Sequence, residues 1–179
     1  MDAETYLKHW KKNQVWTHYK WPKHQKRFLQ IALRLTGETC LDVGCGFGHS
    51  TRILATHYKA RWSGLEFNET AVVRARKTFP KIEFVYSNGY DLKMACDFRR
   101  FDSVVCSEVI EHIEDDRAFL AALMDITREK LILTTPNRPV DDPGHLRVYD
   151  DDSFEALLNG YGYTIRSVGA YYFVEVIVK

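Results

Sequence analysis

The chain has 179 residues, of which 45% are hydrophobic and 27% are charged, the balance of one ordinary globular domain. This composition excludes a disordered tail, a collagen-like repeat and a small disulfide-stabilised protein. A chain of this length buries enough apolar surface to fold without metal or cross-links. Lys and Arg number 25 against 24 Asp and Glu, so the net charge of +1 indicates no partner by itself.

The sequence carries no sign of a membrane or secretory protein. It has no run of about 18 apolar residues, and its first residues lack the apolar stretch of a signal peptide. The four cysteines, Cys40, Cys45, Cys96 and Cys106, form no Cys-x-x-Cys pair. We therefore expect reduced thiols in a cytoplasmic protein that has no membrane partner.

Residues 1–36 form a basic and aromatic segment. Eight Lys or Arg residues against two acids give it a net charge of +6, and it also carries Trp10, Trp16 and Tyr19. Apolar spacing predicts one helix over residues 3–10 and another over residues 28–35, which Gly37 ends.

From residue 39 onward, strand and helix signals alternate. Strands are predicted over residues 39–43, 62–66, 82–87, 101–106 and 130–135. Helices are predicted over residues 50–58, from Asn68 to Pro80, over residues 115–127, and from a capping box of Asp152 and Glu155 to Gly160. The β-rich tail, residues 163–179, breaks at Gly169, so its two strands must pair antiparallel. This alternation predicts an α/β fold with a doubly wound, mostly parallel sheet.

A glycine-rich turn follows the first predicted strand. Gly44, Gly46 and Gly48 alternate there, and glycine lets a ligand approach the main chain closely. A dinucleotide fingerprint would need its third glycine at position 49, which is His49, and no Gly-Lys-Ser/Thr of a P-loop follows. The spacing Asp42-x-Gly-x-Gly-x-Gly instead resembles motif I of the class I S-adenosylmethionine (SAM)-dependent methyltransferases, and the resemblance extends over about residues 38–179.

The resemblance implies a seven-stranded Rossmann-like sheet with an antiparallel last strand. It also implies a SAM-binding domain over residues 37–179, with residues 1–36 as lid helices of the same single domain. Glu66 would accept hydrogen bonds from the SAM ribose. Asn88 stands where many relatives have an Asp that binds the adenine amino group. The residues expected to bind SAM are Asp42, Gly44, Cys45, Gly46, Gly48, Glu66, Phe67, Asn88, Gly89, Ser107 and Tyr19.

Candidate residues for the transfer itself follow the fourth predicted strand. A hydroxyl acceptor must lose its proton. The chain offers four candidate bases for this step, His112, His145, Glu108 and Glu111, and a histidine is favoured near neutral pH. Glu108, Glu111 and His112 have i, i+3, i+4 spacing, so one helical turn would place them on one face. With His145 they resemble the metal site of small-RNA 3′-terminal 2′-O-methyltransferases, and Glu-x-x-Glu-His also occurs in ubiquinone-pathway O-methyltransferases. Such a set would hold Mg²⁺ or Mn²⁺ rather than zinc.

The resemblance implies an enzyme that transfers a methyl group from SAM to a hydroxyl or amine of a small-molecule acceptor. One alternative is an RNA methyltransferase that uses the +6 segment to bind phosphates. Another is a SAM-binding protein without catalytic activity, although the chain keeps both the glycine turn and Glu66.

Overall fold

The computed structural model describes residues 19–87 and 90–178. Its strands are β1 (Thr39–Val43), β2 (Arg61–Glu66), β3 (Glu83–Tyr86), β4 (Phe101–Ser107), β5 (Thr127–Pro136), β6 (Gly162–Val168) and β7 (Tyr171–Ile177). Its helices are α1 (Pro22–Ala32), α2 (His49–His57), α3 (Glu69–Thr78), α4 (Leu92–Ala95), α5 (Asp116–Asp125) and α6 (Asp151–Leu158), with a 3-10 turn at Ile110–His112. None of these helices has the length and apolar character that a membrane crossing needs.

The seven strands form one sheet in the order β3-β2-β1-β4-β5-β7-β6. Strand β7 runs antiparallel to both β5 and β6, while β1 to β5 pair in parallel. The predicted doubly wound, Rossmann-like sheet with an antiparallel last strand is thereby confirmed. The central strands β1 and β4 are buried almost throughout, as expected for parallel strands that are covered on both faces.

The order of the chain reverses at β1, which pairs with β2 on one side and β4 on the other. Ligands of open α/β sheets bind outside the carboxyl ends of the strands at such a reversal. The glycine turn after β1 and the residues that follow β4 both lie at this edge. The topology therefore places the two predicted halves of the site next to each other.

Helix α1 belongs to the core of the sheet domain. Its buried residues Phe28 and Ile31 pack in one cluster with Trp62, Val105 and Phe173. Because the first predicted helix, Trp10 and Trp16 lie outside the described residues, the assignment of residues 1–36 as a lid stays a prediction. The four cysteines are free and buried.

Several predicted element boundaries were wrong. The helix predicted over residues 28–35 is α1, which begins at Pro22 and ends at Ala32, because proline is well suited to the first helical position. The capping box of α6 is formed by Asp150 and Ser153, two residues before the predicted pair. Asp150 accepts a hydrogen bond from the Ser153 backbone N–H, and Ser153 Oγ accepts one from the Asp150 N–H. Helix α5 ends at Asp125 rather than at residue 127, because Thr127 already pairs with Phe101 in the sheet.

Candidate active site

The glycine turn has the backbone that its sequence predicts. Gly44, Gly46 and Gly48 have φ values of +76°, +54° and +79°, which side chains other than glycine rarely adopt. A Cβ atom on Gly44 would lie 2.2 Å from Val109 Cγ2, and one on Gly48 would lie 2.6 Å from Phe84 Cζ. The turn is thus packed on the residue that follows Glu108 as well as on β3.

Glu66 holds the turn in place. Its Oε2 accepts a hydrogen bond of 2.8 Å from the Gly46 N–H, and its Oε1 accepts one of 2.9 Å from the Asn68 N–H. Burial raises the pKa of this carboxyl, and the backbone hydrogen bonds oppose the rise. A carboxylate has about four lone-pair positions, so Glu66 can still accept a hydrogen bond from a ligand.

Asp42, at the end of β1, is buried and fixes the first turn of α2. Its Oδ2 accepts hydrogen bonds from the hydroxyls of Thr51 (2.7 Å) and Ser50 (2.8 Å). Burial raises the pKa of Asp42 to about 6, although these hydrogen bonds lower it. The carboxyl is therefore poised to change charge in mildly acidic solution.

A cavity of about 240 Å³ opens above the turn. It is lined by Tyr19, His24, Arg27, Phe28, Asp42, Gly44, Cys45, Gly46, Phe47, His49, Ser50, Ser107, Glu108, His112, Asp142 and His145. Six predicted SAM-binding residues are in this lining: Asp42, Gly44, Cys45, Gly46, Ser107 and Tyr19. Gly48, Glu66 and Phe67 are not in the lining, and Asn88 and Gly89 lie outside the described residues.

Sequence reasoning missed several residues of the cavity wall. The ring of Tyr19 stacks on that of His49, with centroids 4.1 Å apart and planes 10° apart. Arg27 enters from α1, four positions before the fully buried Ile31. A cation on the buried face of an amphipathic helix is unusual. The apolar pattern of this helix in the sequence could therefore have identified Arg27 as a functional residue.

The residues after β4 do not form the predicted helical turn. Glu108 has φ +60° and precedes the 3-10 turn, which covers only Ile110–His112. Strand β4 ends at Ser107, and the left-handed backbone of Glu108 leads the chain out of the strand. Its Oε2 lies 3.1 Å from Arg27 Nη1. The expectation that Glu108, Glu111 and His112 share one helical face was therefore wrong.

Glu111, His112 and His145 do come together. Each offers a ligand atom within 4.8 Å of those of the other two. The rings of His112 and His145 meet edge-to-face at 4.6 Å. His112 Nδ1 lies 2.9 Å from the Gly144 carbonyl oxygen. Because a carbonyl only accepts, Nδ1 carries a proton in this contact.

Glu111 is unusual within this cluster. Its side chain is 1% exposed, and neither carboxylate oxygen has a hydrogen-bond partner among residues 19–87 and 90–178. Burial and the charge of nearby Glu108 raise the pKa of Glu111 well above its usual range. Burial and the charge of His112 lower the pKa of His145, which favours a neutral imidazole. The cluster thus combines a carboxyl group whose burial is energetically unfavourable with two imidazole nitrogens that could act as metal ligands.

Comparison with known proteins gives a consistent family. A family model described as a methyltransferase domain matches residues 40–130. A probable SAM-dependent methyltransferase of Mycobacterium tuberculosis is 28% identical over 155 residues, covering 81% of this chain and 56% of the relative. A ubiquinone biosynthesis O-methyltransferase of Coxiella burnetii is 27% identical over 116 residues, covering 63% of this chain and 49% of the relative. The chain spans about half the length of these curated relatives.

Solved structures share the fold. Magnesium protoporphyrin IX methyltransferase from Synechocystis PCC 6803 with bound SAM superposes with a TM-score of 0.72 at 17% identity, covering 100% of this chain and 98% of that one. The methyltransferase domain of bacterial CtHen1-CN gives a TM-score of 0.71 at 19% identity, covering 86% and 98%. At these identities, the likeness concerns the arrangement of the strands and helices.

Proposed function

The chain belongs to the class I SAM-dependent methyltransferase family, and from that premise we propose that it transfers the methyl group to a hydroxyl of a small-molecule acceptor. The observation that carries the proposal is one continuous cavity whose wall includes both the glycine turn and the imidazoles of His112 and His145. The O-methyltransferase named among the relatives supports a hydroxyl acceptor.

SAM supplies a methyl group on a sulfonium centre, so transfer needs little covalent help from the protein. Holding donor and acceptor in a reactive geometry contributes about 7–11 kcal/mol to such a step. Glu66 would hold the ribose hydroxyls, and Asp42 would face the positive charges of the bound cofactor. Tyr19, stacked on His49 at the cavity wall, would help to exclude water.

His112 is the proposed base. Its Nδ1–H is fixed on the Gly144 carbonyl, so Nε2 is the ring nitrogen that would take the proton of the acceptor hydroxyl. His145, neutral and in edge contact, would orient the acceptor next to it. Glu108 is less suited to this role than the sequence suggests, because it pairs with Arg27.

A second candidate mechanism uses a divalent cation, and one specific observation favours it. Within the described part of the chain, the buried carboxylate of Glu111 has no hydrogen-bond partner, and a cation would compensate its charge. Glu111, His112 and His145 would hold the ion, with Mn²⁺ or Mg²⁺ as the first metals to test. The ion would polarise the acceptor hydroxyl and lower its pKa.

The experiment uses the purified protein, SAM with a labelled methyl group, a panel of hydroxylated small molecules, and RNA. Transfer to a small molecule that is unchanged in EDTA supports His112 as the base. In that case His112→Ala should lower the rate about 10²–10⁴-fold, whereas exposed His57→Ala serves as the control. Loss of transfer in EDTA and recovery with Mn²⁺ or Mg²⁺ supports the cation instead.

Two other outcomes would overturn the proposal. Transfer to RNA alone, with binding that weakens steeply as salt rises, would identify an RNA methyltransferase. Tight SAM binding without transfer to either class of acceptor would identify a non-catalytic SAM-binding protein.

A further inference from the structure

The connection between β5 and α6 contains a tight turn, residues 142–145, at the wall of the cavity. The backbone N–H of His145 donates a hydrogen bond of 3.1 Å to the carbonyl of Asp142, which closes the turn. The side chain of Asp142 closes it a second time, because its Oδ1 accepts a hydrogen bond of 2.8 Å from the Gly144 N–H. An aspartate that accepts from the backbone two residues ahead fixes a turn in this way. The conformation of the turn is therefore set by Asp142.

This turn contacts the loop after β4 at two points. The carbonyl of Gly144 lies 2.9 Å from Nδ1 of His112. Just after the turn, the Leu146 N–H donates a hydrogen bond of 2.9 Å to the backbone carbonyl of Glu111. The rings of His112 and His145, one from each loop, meet edge-to-face at 4.6 Å. The turn therefore determines how the two imidazoles face each other.

Gly144 is the link between Asp142 and His112. Its N–H is held by the Asp142 carboxylate, and its carbonyl holds the imidazole. A shift of about 1 Å in that carbonyl would take the contact beyond about 3.2 Å, the end of the ordinary hydrogen-bond range. Which ring nitrogen of a neutral histidine carries the proton is set by the hydrogen bond that holds it. Without an acceptor at Nδ1, the imidazole favours the tautomer whose proton is on Nε2, and that nitrogen can then no longer act as a base.

We propose that Asp142 is a positioning residue for methyl transfer. It fixes the turn so that the Gly144 carbonyl holds the proton of His112 on Nδ1, which makes Nε2 the nitrogen that takes the acceptor proton. The inference rests on the proposed function, in which His112 is the base. In that step the acceptor oxygen forms a bond to the methyl carbon, its proton moves to Nε2, and the bond from the methyl carbon to the sulfur of SAM breaks. Asp142 acts through the turn and exchanges no proton itself.

Three variants separate the position of the Asp142 side chain from its charge, because this residue also lines the cavity. Asp142→Asn removes the charge and keeps an oxygen that can accept from the Gly144 N–H. Asp142→Glu keeps the charge, but its longer side chain moves the oxygens away from that N–H. Asp142→Ala removes both the charge and the acceptor.

Asp150→Ala is the matched control. Asp150 lies on the same connection between β5 and α6, and its carboxylate also accepts a backbone hydrogen bond, from the Ser153 N–H at 2.9 Å. It is outside the cavity lining. Thermal unfolding of each variant establishes that the domain is folded before the other measurements are made.

The first measurement is the tautomer of His112, read by nitrogen NMR from its two ring nitrogens. It uses the full chain with EDTA in mildly alkaline solution, where the imidazole is neutral. We expect the proton on Nδ1 in the wild-type protein, in Asp142→Asn and in Asp150→Ala. We expect the population to shift toward the Nε2 tautomer in Asp142→Ala and Asp142→Glu. A loss of stability alone would leave the tautomer unchanged.

The second measurement is the rate of methyl transfer from labelled SAM to the acceptor that the panel of small molecules identifies. Asp142→Ala and Asp142→Glu should lower kcat about 10- to 100-fold, with the affinity for SAM unchanged. Asp142→Asn should restore most of the rate that Asp142→Ala loses. In a His112→Ala background, Asp142→Ala should lower the rate no further, because a residue that acts through the base has no effect once the base is removed.

Two results would overturn the inference. One is a His112 tautomer that is the same in Asp142→Ala as in the wild-type protein. The other is an Asp142→Asn variant as slow as Asp142→Ala beside an active Asp142→Glu, which would assign a direct role to the charge. Absence of methyl transfer by the wild-type protein would refute the proposed function instead. The tautomer measurement would then still decide whether Asp142 positions His112.

Discussion

Replacing Gly44 by alanine tests whether the glycine turn and the residues after β4 are locked together. Alanine at φ +76° costs about 1–2 kcal/mol of backbone strain. Its Cβ would also lie 2.2 Å from Val109 Cγ2, and forcing a methyl group into packed surroundings costs about 1–3 kcal/mol more. We expect Gly44→Ala to lower the free energy of unfolding by about 2–5 kcal/mol and to weaken SAM binding.

Val109→Ala separates the two contributions, because it removes Cγ2 while the remaining Cβ lies 3.4 Å from the added methyl group. In the Val109→Ala background, Gly44→Ala should cost only the strain, so the double-mutant cycle should show about 1–3 kcal/mol of coupling. Urea unfolding followed by circular dichroism measures all four proteins. Gly169→Ala is the control, since it has φ +64° and nothing within 4 Å of its added Cβ. A Gly44→Ala variant no less stable than Gly169→Ala, or additive with Val109→Ala, would refute the reasoning.

Three further predictions follow from the same site. Glu66→Ala leaves the N–H groups of Gly46 and Asn68 without their acceptor, so the free energy of unfolding should fall by about 1–3 kcal/mol per group. Calorimetry should also show that SAM binding is lost. A variant as stable as the wild-type protein would contradict this prediction. Burial raises the pKa of Asp42 from its ordinary value of 3.8 to about 6 in the folded chain. The folded state therefore binds the extra proton, and the free energy of unfolding should fall by about 2–3 kcal/mol as pH rises from 4 to 7. Asp42→Asn should flatten that slope in denaturation measured across this pH range, and an unchanged slope would assign it to another group. Deleting residues 1–20 removes the Tyr19 ring that stacks on His49 but leaves α1 intact, because that helix begins at Pro22. SAM binding and turnover should therefore weaken in a chain that still unfolds cooperatively. Unchanged kinetics would exclude a lid.

The features that the sequence predicts correctly are local. Alternating strands and helices give the sheet, and the spacing of Gly44, Gly46 and Gly48 gives the turn, because a glycine pattern directly limits the backbone. The predicted start of α6 was wrong by two residues, because Asp150, Asp151 and Asp152 are the same residue type and are equivalent N-cap candidates. Ser153 at the third helical position decides among them, and a serine there gives a weaker signal than Glu or Gln.

The remaining features depend on contacts between distant parts of the chain. The pair of Arg27 with Glu108 joins residues 81 positions apart, and no local pattern of either residue indicates the other. The Glu-x-x-Glu-His spacing fits a helix, yet Glu108 adopts φ +60° because β4 continues through Ser107 and the chain must then turn. The same spacing therefore brings together Glu111 and His112 while directing Glu108 toward α1.

The hydrogen bond from the Gly46 N–H to the buried Glu66 carboxylate joins two groups of the protein itself and needs no ligand. The turn is thus preorganised, and the entropy of ordering it is lost during folding rather than during binding. The Gly46 amide should exchange its hydrogen with solvent slowly in the ligand-free protein, at a rate limited by opening of the turn. Association with SAM should accordingly resemble docking to a rigid surface, with a heat-capacity change set by the apolar area that the ligand covers.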